Sequence, residues 1–270
     1  MEIINLSKGQ TIDLRKNSKG ESSYDLTQVT IGLGWDVAES YELKDVPIEQ
    51  SFLERLTGKQ RFEKRRVRVD EEYDLDAIAF LLDDTGKIAN LGQQVKLTNG
   101  AQIALHKSDV IFYHNITYPS GTGPSSMVYG NLSKSQISSK VSQLLSSGET
   151  IVHTGDNLTG EGDGDDEQII VKLDALPKRV DKIVVLVSIY QGHKKNQHFG
   201  KVDNAFIRAC DAKGKEIARY SLSNSPELNG MCSMVFGEIY RHEGTWKFRA
   251  IGNPDRTDNF IEIMKRYTKQ

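Results

Sequence analysis

Cysteine is almost missing from this sequence. The two present, Cys210 and Cys232, are too few for a disulfide framework or a zinc ribbon and are expected to be small core residues in a reducing compartment. No apolar run approaches the ~18 residues that a membrane-spanning helix requires. The opening "MEIINLSKGQTIDL" has neither a basic start nor a long apolar stretch, so no secretory signal is expected and the compartment is expected to be the cytoplasm. An excess of one charge is also missing. Lys and Arg number 35 against 37 Asp and Glu, a net charge of −2, so nucleic acid is not an expected partner. No G-x-S-x-G is present to anchor a hydrolase triad, and no G-K-[ST] follows the glycine-rich stretch. The six histidines (106, 114, 153, 193, 198 and 242) show no H-x3-H or HExxH spacing. His193 and His198 are five apart in an expected loop, and His153 is expected to be a packing or loop-bracing residue.

What the sequence does have is alternation. "VTIGLGW" places Val29, Ile31, Leu33 and Trp35 on one face, with Thr and Gly between them. Residues 76–82, 109–116, 167–173, 181–190, 204–210, 215–222, 232–240 and 246–252 also read as strands, many of them bounded by turn residues such as "DDTGK" and "DAKGK". Glu243-Gly244 reads as the turn of a hairpin. Cys210 is expected to face inward with or beside Ile207, and both tryptophans are expected in the core. Three helical patterns are visible: 47–58, 133–148 and the C-terminal "TDNFIEIMKRYTKQ". The second is serine-rich and weakly apolar, which predicts a mobile insertion more than a core element. Nine or so short strands without regular intervening helices predict an all-β fold, an antiparallel β-sandwich with small helical insertions and a C-terminal helix.

Charge is concentrated rather than abundant. "HTGDNLTGEGDGDDEQIIVKL" (153–173) carries six carboxylates between Asp156 and Glu167, with no Lys or Arg in that span. Two unit charges about 5 Å apart repel by roughly 0.8 kcal/mol in water and about four times that near a protein surface. Either this loop is splayed into solvent or something positive sits in it. Two more acidic segments border strands: Asp36 after "GLGW", and Asp74 with Asp76, whose spacing of two puts both on one side of a strand. Loops collect at the ends of a sandwich, so these segments can meet at one rim and offer oxygen ligands to a hard cation such as calcium. Glycines 155, 160, 162 and 164 allow tight backbone folding there. The pattern is not an EF-hand: counted from Asp163, Glu167 stands at the third ligand position and Gln168 replaces the turn glycine.

"VTIGLGWD" (29–36), "YDLDAIAFLLDDTGKI" (73–88), "GDNLTGEGDGDD" within 153–173, "KIVVLVSIY" with "NQHFGKVDNAFIRACDA", and "MVFGEIYRHEGTWKFRAIG" (234–252) together resemble the TerD family, the tellurium-resistance and bacterial stress proteins. The resemblance covers most of the chain in the family's own order. It implies a cytoplasmic, calcium-binding β-sandwich without established catalytic activity. The expected role is cation-dependent binding to other stress or tellurium-resistance proteins or to the inner membrane surface. The family's acidic motif positions fall on Asp36, Asp74, Asp76, Asp156, Asn157, Glu161, Asp163, Asp165 and Glu167. The chain is expected to form one domain over 1–270, with additions at about 37–72 and 117–150 beyond the usual family pattern.

The basic run Arg61, Lys64, Arg65, Arg66 and Arg68 fits a solvated strand face, an internal counter-charge to the acidic loops, or an anionic lipid surface, and the commonness of solvated charge runs favours the first two over the third. The rival functional class is a metal-dependent phosphoester or nucleotide hydrolase using the same acidic cleft. No nucleophile or phosphate clamp accompanies it.

Overall fold

The computed structural model describes residues 11–13, 24–36, 38–47, 62–71, 73–96, 102–121, 132–155, 164–222 and 226–269. Two six-stranded sheets face each other, and every strand pairing in them is antiparallel. Sheet one runs β1 (Thr11–Asp13), β16 (Thr245–Asp255), β15 (Ser233–His242), β12 (Lys182–Ile189), β5 (Leu75–Leu82), β8 (Val110–Ile111). Sheet two runs β14 (Glu216–Ser221), β13 (Asp203–Asp211), β2 (Val29–Asp36), β11 (Glu167–Val171), β10 (Ile151–His153), β9 (Thr117–Tyr118). β3 (Ala38–Pro47) with β4 (Phe62–Glu71), and β6 (Gln93–Lys96) with β7 (Gln102–His106), form separate two-stranded ribbons.

Period-two patterning builds the core. Ile31, Leu33 and Trp35 from β2 and Ile169 and Val171 from β11 pack against Leu75, Ala77, Ala79 and Leu81 from β5 and Phe248 from β16. Removing each large side chain from water contributes roughly 1.5–3 kcal/mol. The opposite face of β5 is buried too. Ile78, Phe80 and Leu82 pack with Val184 and Leu186 under Ile263 and Met264 of the C-terminal helix Phe260–Met264. That is why "LDAIAFLL" is buried at every position, although its sheet is antiparallel. The β15–β16 hairpin closes through Glu243 and Gly244, both at positive φ (50° and 74°), between the paired His242 and Thr245. Two positive-φ residues are the type I′ requirement, met here with a glycine second.

Three expectations are corrected. The serine-rich segment is not a loosely held insertion but a packed helix, Lys134–Ser146, with a reciprocal Ser133/Gln136 capping box. Its Val141 and Leu145 are buried against Ile116, Val152 and Ile170, covering the outer face of sheet two. One narrow apolar stripe suffices for that, whatever the average polarity. Residues 109–116 are not one strand. β8 has two residues, after which the Asn115 amide donates to the Val110 carbonyl (2.7 Å) and takes a backbone partner the strand would have used. Cys210 is buried but lies outside the inter-sheet core, beside Arg208, Asp165 and Glu216, after a bulge between Ala209 and Cys210. Burial pushes its thiol up, away from reactivity.

The predicted helix over 47–58 falls on 48–61, outside the described residues apart from Pro47, which ends β3. The basic run, from Phe62 on, is strand β4, with Lys64 and Arg65 exposed.

Candidate metal-binding rim

One end of the sandwich gathers the end of β2, residues 73–77, and both feet of the acidic loop. The leading foot is His153–Gly155 and the trailing foot is Gly164–Glu167. Thr154 and Gln168 tie the two feet together, Thr154 N donating to Gln168 O and Gln168 N to Thr154 Oγ1, each at 2.8 Å. The trailing foot is pinned to β2: Asp166 N donates to Leu33 O (2.8 Å) and Trp35 N donates to Asp166 Oδ2 (3.0 Å). The Trp35 indole Nε1 crosses to sheet one and donates to Tyr73 O at 2.9 Å.

Glu167 and His153 stitch the two sheets. β8 covers β5 only opposite Ala79 and Phe80, so side chains from sheet two take the backbone groups of Ala77. Ala77 N donates to Glu167 Oε2 (2.8 Å), and His153 Nε2 donates to Ala77 O (2.9 Å). Gly155 N donates to His153 Nδ1 (3.0 Å), which fixes the neutral tautomer with its proton on Nε2. Both side chains are fully buried, and Glu167 Oε2 lies 3.7 Å from Nε2. Burial holds the imidazole down to about 4, outweighing the opposing pull of its hydrogen bond to Ala77 O. The bracing role expected for His153 is therefore specific: it supports Gly155, where the acidic loop departs.

The acidic residues fall into distinct settings. Asp36 is exposed at the end of β2 and accepts from Asn204 Nδ2 at 2.6 Å. Asp165 packs on the outer face of sheet two, its Oδ1 accepting from Arg208 Nε (2.7 Å) and its Oδ2 from Gln168 Nε2 (2.9 Å). It fills the space that Gly32 leaves open: a Cβ there would overlap the carboxylate. Asp166, adjacent to the motif positions, was not singled out by sequence. Burial pushes its carboxyl up to about 6 against the pull of Trp35 N–H, and the charges of Asp165 and Asp36 add to the rise. Asp74 and Asp76 are nearly buried at the start of β5 and share a face as their spacing predicts. That face is the outer one of sheet one, where Asp76 pairs in register with Ser188.

Asp156, Asn157, Glu161 and Asp163 lie outside the described residues. Among the described residues no three His, Cys, Asp or Glu side chains are arranged to hold a metal ion. Arg208 was also missed by sequence. The signal available was the alternation of "NAFIRAC", which sets Arg208 opposite the inward Ile207 and Ala209.

The TerD domain model matches residues 1–126 and 141–267. The chain belongs to the TerD family. It is 41% identical over 264 residues to tellurium resistance protein TerX of Serratia marcescens, covering 98% of this chain and 99% of that one. It is 34% identical over 250 residues to tellurium resistance protein TerD of the same organism, covering 92% of this chain and 89% of that protein. General stress protein 16U of Bacillus subtilis (strain 168) is 31% identical over 251 residues, covering 93% of this chain and 90% of that protein. These TerD-family relatives carry names of resistance and stress proteins, not of enzymes. Among the described residues, no helix is long and apolar enough to cross a membrane.

Proposed function

We propose that this TerD-family protein is a calcium-binding stress-response module that acts by cation-dependent binding to partner proteins or to the inner membrane surface from the cytoplasm. The observation that carries the reading is the pinning of both feet of the six-carboxylate loop beside Asp36 on one rim. The donor set is all oxygen, which suits a hard cation. Asp36 and the loop positions Asp156, Asn157, Glu161, Asp163 and Asp165 would hold the ion, with Asp74 and Asp76 at the neighbouring strand start. Glu167 supports the site from beneath through Ala77. Bound calcium supplies the positive charge that the loop lacks.

The rim also supports the binding half of the reading. The β3–β4 ribbon leaves it immediately after Asp36 and returns just before Tyr73 and Asp74. Its Leu43 and Phe62 are among the large apolar side chains exposed in the described residues, at 71% and 54%. On the same ribbon Lys44 stands directly opposite Arg65, whose guanidinium is ion-paired with Glu63. An ion that reorders the rim therefore acts at the root of the ribbon.

The test is thermal unfolding of the chelator-stripped protein with added calcium or magnesium. A ligand at about a hundred times its dissociation constant adds roughly 2.7 kcal/mol to a single-site folded state, on the order of 5–10 °C in Tm for a chain of this size. A calcium-specific rise that Asp156→Asn with Asp163→Asn abolishes is the expected result. No shift, or equal shifts with both ions, would remove calcium from the reading.

A further inference from the structure

We propose that strand β4 is a self-association edge: two copies of this chain pair antiparallel along it, about a two-fold axis at Arg68. The pairing needs no cation at the rim, and it joins two ribbons into one four-stranded sheet.

The β3–β4 ribbon is a sheet of two strands, and among the described residues β4 has no strand on its second edge. None of the ribbon's residues belongs to the apolar clusters of the sandwich, and Leu43 and Phe62 stay exposed. A two-stranded hairpin alone is marginal in water, and an uncovered edge is a template for another strand. The charge order of β4 selects which strand fits. Arg65 and Arg66 stand towards its start, Asp70 and Glu71 at its end. Reversed, that order is its own complement. With Arg68 facing Arg68, Arg66 stands opposite Asp70 of the second copy and Arg65 opposite Glu71. The two-fold axis makes each of these opposite-charge pairs occur twice, against one like-charge pair on the axis. Centring on Val67 instead would set Arg66 against Arg68 and Glu63 against Glu71. β3 makes no use of the order: across the ribbon Arg65 meets Lys44, Arg66 meets Leu43, Asp70 meets Glu39 and Glu71 meets Ala38. Arg65 is ion-paired along its own strand with Glu63, at an exposed position where such a pair is readily shared. Uniform charge along an edge blocks strand addition, whereas charge ordered in this way selects one partner and one register.

Sedimentation of the full-length protein in chelator, at low salt and rising concentration, tests the pairing. A dimer is expected with a dissociation constant on the order of 10 μM, as suits a small edge contact, weakened by salt. Arg65→Glu with Arg66→Glu is expected to weaken it by about tenfold or more, and so is Asp70→Lys with Glu71→Lys. Mixed in equal amounts, the two double variants are expected to regain the wild-type dimer, because each then meets its opposite. Across the ribbon these changes set opposite charges at Lys44 and Glu39, so the ribbon itself is expected to persist. Arg68→Cys, which faces its own copy, is expected to form an intermolecular disulfide under mild oxidation. Arg66→Cys, roughly 13 Å from its copy in this register, is not. The cysteine pair decides alone if a double variant does not fold. A wild type that stays monomeric at about ten times the expected constant would overturn the pairing. So would dimers that survive either double substitution, a mixture that stays monomeric, or equal cross-linking by the two cysteine variants. A dimer that forms only with calcium would overturn it as well and assign the contact to the rim.

Discussion

At the scale of single residues, His153 and Glu167 make the sharpest claims. His153 is neutral and fully buried, held down to about 4 from an ordinary 6.5. The unfolded chain therefore binds a proton near pH 6.5 that the folded chain refuses until about pH 4, and stability is lost as the pH falls through that window. The full effect is about 3 kcal/mol. Asp166 opposes it, because a carboxyl raised to about 6 takes its proton in the folded chain first and gains stability as the pH falls. Denaturant unfolding of wild type and His153→Gln between pH 7 and pH 4 separates the two, since the histidine component disappears only in the variant. An unchanged pH slope in the variant would mean that His153 is not the group responsible. Glu167 is tested by two substitutions. Glu167→Ala leaves the buried Ala77 N–H without its acceptor and is expected to cost about 1–3 kcal/mol, whereas Glu167→Gln keeps an oxygen there and is expected to cost much less. Equal losses would argue that charge, not the hydrogen bond, is what Ala77 needs. That Glu167 belongs to an acidic motif was legible in the sequence. That it turns inward to serve an uncovered strand edge was not, because the shortness of β8 depends on Asn115 capturing its neighbours.

At the scale of elements, alternation identified most strands within a residue or two, and the Ser133 start and Gly148 stop of the serine-rich helix were equally visible. Its packing was not. Average polarity hid a stripe of two buried residues, and nothing local announced the bare outer face of β10 and β11 that the stripe covers. Leu145→Ala is expected to destabilise the fold by about 2 kcal/mol, the low end for a core leucine, because Leu145 sits at the margin of a small cluster. Guanidinium unfolding would reveal it, and a loss below about 0.5 kcal/mol would mean the helix is a passenger. The segment 37–72 teaches a different lesson. Its basic run alternates sign and polarity so irregularly that period alone could not declare a strand, yet ten consecutive residues pair with β3. The cross-strand partner, which sequence spacing does not encode, supplies the order.

At the scale of the whole molecule, the division into sheets was the least legible feature. β2 lies between β11 and β13, while β5 lies between β8 and β12, so pairing partners are far apart in the chain. Period two says which face of a strand is apolar but not which strand stands beside it. The continuous apolar runs of β5 and β12 could be reconciled with an antiparallel sheet only through the C-terminal helix lying over them. The rim shows the same limit. Asp36, Asp166 and the feet of the loop meet because Trp35 links backbone from both sheets, and Asp74 and Asp76 come to the same strand start yet face away from sheet two.

That placement of Trp35 makes the molecule its own optical probe. The sequence has only two indoles, Trp35 at the rim and Trp246 on the hairpin strand β16, beneath the Arg241 guanidinium. In Trp246→Phe all indole emission comes from the ring bonded to Tyr73 O, between the two roots of the ribbon. Calcium is expected to shift its wavelength or intensity, while Trp35→Phe, which reports from Trp246 alone, stays silent. Equal responses from both would mean a global change rather than one at the rim. The speed of any rearrangement there can then be followed by stopped-flow, with no dye attached.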